Sequence, residues 1–141
     1  MLDTLLEIWR VARPVLARML LVMMGGALGA LTRYGTGLWA GRYIGARFPW
    51  GTLMVNLTGC FLIGVCFALV ERSSLLSPSA RLFFMTGFLG ALTTFSTYAL
   101  ETVNAARAET LVTALLNFFI NNAAGLALVI LGMWLVRWIR A

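Results

Sequence analysis

The chain has 141 residues, 61% of them hydrophobic, with eleven basic and five acidic side chains and a net charge of +6. That is too apolar for a soluble domain of this size and points to membrane helices. Every basic residue is arginine, and the arginines stand at the ends of apolar runs, where stems lie in lipid and heads in water. A nucleic-acid protein would gather them on one exposed face instead, so nucleic acid is not expected as a partner.

Catalysis is also set aside. There is no histidine, and Asp3, Glu7, Glu71, Glu101 and Glu109 all read as lying at or beyond span ends. No general base or activated nucleophile stands out. Cys60 and Cys66 share one span six residues apart, so they face different ways and read as small packing residues.

In chain order, residues 1–18 place Leu2, Leu5, Leu6 and Trp9 at helical spacing among Asp3, Glu7, Arg10, Arg13 and Arg18. This predicts a short interfacial helix ending near Pro14, without the pattern of a cleaved signal peptide. Residues 19–141 then form one four-helix transmembrane domain. Span one, about Met19–Ala40, carries Gly25 and Gly29 as a GxxxG pair suited to close helix packing. Arg33 lies well inside it, either snorkelling to an interface or facing a wet, anion-attracting cavity.

Span two, about Trp50–Val70, belongs to a 23-residue run without charge, longer than the roughly 20 residues that cross a bilayer core. Thr52 and Asn56 share one of its faces, and Asn56 reads either as interhelical glue or as a pathway donor. The stretch Ser73–Ser79 predicts a turn closed by Pro78. Span three, about Arg81–Val103, contains GFLGALTTFSTYALE (Gly87–Glu101), five hydroxyl residues packed into an apolar run. Gly90 followed by the β-branched pair Thr93–Thr94 predicts a helix break at mid-membrane depth, exposing carbonyls and amides that bind ions. Span four, about Thr110–Trp138, repeats Thr113, Asn117, Asn121 and Gly125 at steps of four, with Asn122 alongside. This polar stripe reads as a lining rather than glue.

The polar groups inside the spans are nearly all hydrogen-bond donors, and no carboxylate is expected among them, which favours an anion over a cation. Phe95 and Tyr98, three apart, can turn positive ring edges toward an ion. Arginine placement gives little orientation bias: without the amino-terminal three, Arg72, Arg81, Arg137 and Arg140 oppose Arg42, Arg47 and Arg107. Such a chain can insert both ways and pair with its inverted copy.

GGALGALTRYG (Gly25–Gly35), WGTLMVNLTGCFLIG (Trp50–Gly64) and GFLGALTTFSTYALE together resemble the Fluc/CrcB family of fluoride channels, across all four spans. The resemblance implies an all-α, multi-pass protein of the prokaryotic plasma (inner) membrane. Two antiparallel four-helix subunits would form a dual-topology homodimer in lipid, with two pores that pass fluoride and exclude chloride. It implies Asn56 as pore asparagine, Phe95 and Tyr98 as the two aromatic positions, and Arg33 near the pore vestibule; Thr52, on the face of Asn56, and Thr94, in the hydroxyl run, are read with them along the path. It also implies a structural Na⁺ at the span-three break, held by backbone carbonyls, a role that fits Gly90 and Thr93. The chain departs from the pattern in having Tyr98 where Phe is usual, and Asn117, Asn121 and Gly125 where span four usually carries Tyr and Ser. Two alternatives compete. A small dual-topology exporter of organic cations would need a span-one carboxylate, where this chain has Arg33. A structural subunit would use the same polar groups only to join helices.

Overall fold

The computed structural model describes residues 2–72, 75–108 and 110–139. Ser73, Glu109 and Arg140, and the side chains of Leu2, Asp3, Leu5, Leu6 and Arg72, lie outside the described residues. Every element among the described residues is helical: α1 (Leu2–Tyr43), α2 (Trp50–Arg72), α3 (residues 78–92), α4 (Phe95–Ala108) and α5 (Leu111–Ile139). Helices α3 and α4 are the two halves of one bent span, so four stretches are long and apolar enough to cross a membrane. The chain is a multi-pass membrane protein.

Helix α1 does not end near Pro14, where the sequence predicts a stop. It runs unbroken through Pro14 for 42 residues, about 63 Å at 1.5 Å per residue, roughly twice the hydrocarbon core. Proline costs one backbone hydrogen bond and about 3 kcal/mol in a helix interior. Good helix formers on both sides (Leu, Glu, Arg, Ala, Met) carry the helix across it. Pro78 is likewise not the close of a turn but the first residue of α3. Its missing N–H is no loss there, and Ser77 caps the helix by accepting from the Ala80 N–H at 3.2 Å.

The helices pair by backbone approach more than by large side chains. Helix α1 lies along α3, and α2 lies along the second half of α5. A methyl group on Gly25 or Gly29 would overlap the carbonyl oxygens of Phe83 and Phe88, and one on Gly64 would overlap that of Val129. The GxxxG pair is therefore a packing surface, as its spacing predicts. A small apolar cluster of Val55, Leu89 and Leu92, backed by Ile63 and Phe88, sits where α2 meets α3. Few residues in each span are fully buried within the chain; the exposed apolar side chains suit lipid or another helix.

Two segments widen into π-helical turns, Leu82–Leu89 and Ile120–Ala124. The second contains Asn121 and Asn122, and its wider turn brings both neighbours to one cavity.

Replacing Gly25 with Val drives two side-chain carbons into the α3 backbone. We expect a loss of about 1–3 kcal/mol, read as a lower unfolding temperature in detergent. Gly41→Ala, where nothing lies within 4 Å of the added carbon, leaves that temperature unchanged or higher.

Candidate functional site

The site begins with the break between α3 and α4. Thr93 turns to extended backbone (φ −83°, ψ 152°), while its N–H and its Oγ1–H still reach the Leu89 carbonyl at 3.1 and 3.0 Å. In an unbroken helix the Thr94 N–H would close on the carbonyl of Gly90. It donates instead to Asn56 Oδ1 on α2 at 2.9 Å. The Thr97 N–H, which would close on Thr93, donates to Thr94 Oγ1 at 3.2 Å, so Thr94 caps α4. Side chains have taken the Thr94 and Thr97 amides, and the carbonyls of Gly90 and Thr93 lose their helical donors.

A directed chain of amides leads away from this point. Because the Thr94 N–H can only donate, Asn56 must present its oxygen there and its nitrogen elsewhere. Asn56 Nδ2 donates to Asn121 Oδ1 at 3.0 Å and more loosely to the Thr94 carbonyl at 3.3 Å. Asn121 Nδ2 donates to Asn117 Oδ1 and to the Asn117 carbonyl, at 2.9 and 3.0 Å. Asn117 Nδ2 donates to Thr102 Oγ1 at 2.7 Å, whose hydrogen goes to the Tyr98 carbonyl at 2.8 Å. Asn117 is 0% exposed.

Two cavities lie in series along this seam. The first, about 370 Å³, is lined by Asn56, Thr94, Phe95, Tyr98, Asn121 and Asn122, with Gly90 and Thr93 at its edge. Phe95 and Tyr98 meet edge to face, centroids 5.5 Å apart and rings at 63°. Tyr98 is 5% exposed and Phe95 77%, so the outer wall of this cavity is open in the single chain. The second cavity, about 410 Å³, is lined by Arg33, Tyr34, Thr52, Thr97 and Glu101. Thr52 and Asn56 belong to different cavities but stand one turn apart on α2, about 6 Å along its axis.

Glu101 corrects one expectation. The lane is not free of carboxylates, because α4 continues to Ala108 and sets Glu101 two turns inside its end. Its Oε1 accepts from Thr52 Oγ1 at 2.8 Å, while Oε2 is buried without a hydrogen-bond partner among the described residues.

Residues 20–133 match the family model described as CrcB-like protein, Camphor Resistance (CrcB). The chain belongs to this family. It is 49% identical over 114 residues to a protein of Acidobacterium capsulatum, covering 81% of this chain and 88% of the relative. It is 43% identical over 117 residues to one of Aeromonas salmonicida (83% and 94%), and 44% over 115 to one of Salinibacter ruber (82% and 86%). Each of the three is named fluoride-specific ion channel FluC. The relatives are thus named as ion channels, a family of non-enzymes.

Of the residues singled out in the sequence, this CrcB-like chain brings Asn56, Thr94, Phe95, Tyr98 and Asn121 to the first cavity and Arg33 and Thr52 to the second. Asn117 lines neither. Thr97 and Glu101 join the second cavity, and Asn122 the first. Thr102, the acceptor for Asn117, was not singled out, although its place one turn after Tyr98 puts it on that residue's face.

Asn117→Leu removes two links of the amide chain and leaves Thr102 and Asn121 facing apolar surface. We expect a stability loss of about 1–3 kcal/mol, seen as earlier thermal unfolding in detergent. An unchanged midpoint would show that Asn117 is dispensable to the packing.

Proposed function

We propose that this chain is the subunit of a passive, fluoride-selective channel that lets fluoride leave the cytoplasm, working as an antiparallel homodimer in the plasma membrane. The observation that carries this reading is the pair of cavities on neighbouring turns of α2, lined by polar side chains that include Asn56, Asn121, Arg33 and Glu101, in a chain whose relatives are named fluoride-specific ion channels. Fluoride must shed water to enter, so the path has to replace its hydrogen bonds without holding it tightly. Arg33 supplies positive charge to the second cavity, where the Glu101 carboxylate also stands. Thr52 and Thr94 give their hydroxyl hydrogens to Glu101 and Thr97, which leaves the Thr97 hydroxyl as the donor of this group. The longest bond of the amide chain, Asn56 Nδ2 to the Thr94 carbonyl at 3.3 Å, is the one whose hydrogen a passing anion claims at least cost. The open side of the first cavity, where Phe95 projects, supports a second copy as the missing wall.

The carbonyls of Gly90 and Thr93, stripped of their helical donors, fit the implied Na⁺, because unwound carbonyls are the usual cation ligands inside membranes. Na⁺ would there supply fixed positive charge joining two subunits. A second reading, a structural subunit, draws on the self-satisfied amide chain and the fully buried Asn117.

Liposomes containing the purified protein should lose fluoride electrogenically and retain chloride; equal loss of both, or of neither, rejects the channel. Phe95→Ile should cut throughput at least about tenfold, the size of a weak ring-edge contact, in a dimer that still elutes as the parent. Asn56→Ser separates the two readings, since a purely structural subunit would change dimer stability with no flux to lose. Exchange of Na⁺ for N-methylglucamine during purification should weaken both the dimer and its fluoride flux, whereas indifference to Na⁺ would remove the ion from the break.

A further inference from the structure

Asn122 was noticed in the sequence only as a neighbour of the polar stripe, yet its geometry sets the direction of one proton. Its Nδ2 lies 2.8 Å from the Phe118 carbonyl and 2.7 Å from the Tyr98 hydroxyl. A backbone carbonyl can only accept, so the amide nitrogen must lie on that side. Both amide hydrogens are then committed, one to Phe118 and one to Tyr98. The Tyr98 oxygen is therefore the acceptor in its bond with Asn122, and its own hydrogen has to point elsewhere. Among the described residues no protein acceptor receives it. Tyr98 and Asn122 both line the first cavity, with the Phe95 ring edge-to-face on Tyr98.

We infer that Asn122 is a positioning residue that holds the Tyr98 ring and aims its O–H hydrogen into the first cavity as a donor station for a small anion. The inference rests on the proposed anion path through that cavity. A bare aromatic ring at position 98 offers only the weak attraction of its edge, whereas a phenol offers a true hydrogen bond. Untethered, the hydroxyl would rotate between two in-plane settings and lose time in the one facing away. Committing one side of the oxygen to Asn122 removes that choice. The amide also leaves its carbonyl oxygen away from the phenol, so no acceptor competes with the anion there. The π-helical turn Ile120–Ala124 is what makes the contact available, because it carries Asn121 and Asn122 together to the cavity.

The test combines a mutant cycle with a binding signal. In reconstituted liposomes, Tyr98→Phe and Asn122→Leu should each slow fluoride efflux about tenfold, the scale of one hydrogen bond to an ion. The double variant should be no slower than either single, because both remove the same aimed donor. Multiplying losses, or full activity of Asn122→Leu, would overturn the tether. Tyr98→Phe deletes only an oxygen, so it keeps the test decisive if Asn122→Leu elutes abnormally. Independently of flux, the ring-carbon Cζ resonance of Tyr98 is assignable among three tyrosines by its loss in Tyr98→Phe. In detergent it should move with added fluoride and not with chloride, and Asn122→Leu should need about tenfold more fluoride for the same movement. A Tyr98 signal indifferent to fluoride would overturn the donor station whatever the flux. Absence of fluoride efflux from the parent protein, with that signal responsive, would reject the channel and leave the station standing.

Discussion

A backbone amide or carbonyl inside a bilayer must find a partner within the protein, and the rest of this structure depends on how that demand is met at one place. The third span stops being a helix at Thr93 and starts again at Phe95. In hydrocarbon such an interruption would strand several polar groups at several kcal/mol each. Here the Oδ1 of Asn56 receives the Thr94 N–H, and the Thr94 hydroxyl receives that of Thr97. These two donors are satisfied by side chains, and the carbonyls they would have reached, those of Gly90 and Thr93, lose them. The interruption thus leaves backbone carbonyls on one side and a cluster of polar side chains on the other.

The amide chain that continues from Asn56 passes from wet to dry. Asn56 and Asn121 border a cavity, whereas Asn117 is sealed and bonded to Thr102. One row of chemically identical residues thus does two things. At its buried end an amide joins α4 to α5, and removing it would leave unpaired groups. At its other end Asn56 makes the longest bond of the chain, to the Thr94 carbonyl at 3.3 Å, beside the cavity. Within the span-four stripe, Asn117 is thus packed between helices while Asn121 borders the cavity. Glu101 belongs to the same economy: Thr52 ties one of its oxygens, and it shares a cavity with Arg33, whose charge offsets its own.

Several features were legible before any coordinates. The four apolar runs, the close approach at Gly25 and Gly29, and the interruption after Gly90 follow from hydropathy, residue size and β-branching, which act locally. Other features were not. The helix through Pro14 reflects many favourable residues outweighing one unfavourable one. Pro78 reads as a turn's end in the sequence, but its lack of an N–H suits a helix's beginning equally well. Glu101 was assigned to a span end because α4 was expected to stop one turn too soon. The π-helical turns at 82–89 and 120–124 escape a reading that assumes 3.6 residues per turn, and with the second of them went the contact between Asn122 and Tyr98.

By itself, the order of residues settled that this chain lives in lipid, crosses it four times and carries an interrupted third span, because transfer from water to hydrocarbon and helix propensity are properties of neighbouring residues. Only the tertiary structure decided which amides are occupied and which can still be offered to something passing. That depends on partners 38 residues away for Asn56 with Thr94, and 65 away for Asn56 with Asn121. A hydrogen bond is directional and short, so whether a donor is spent is known only once both ends have been brought together.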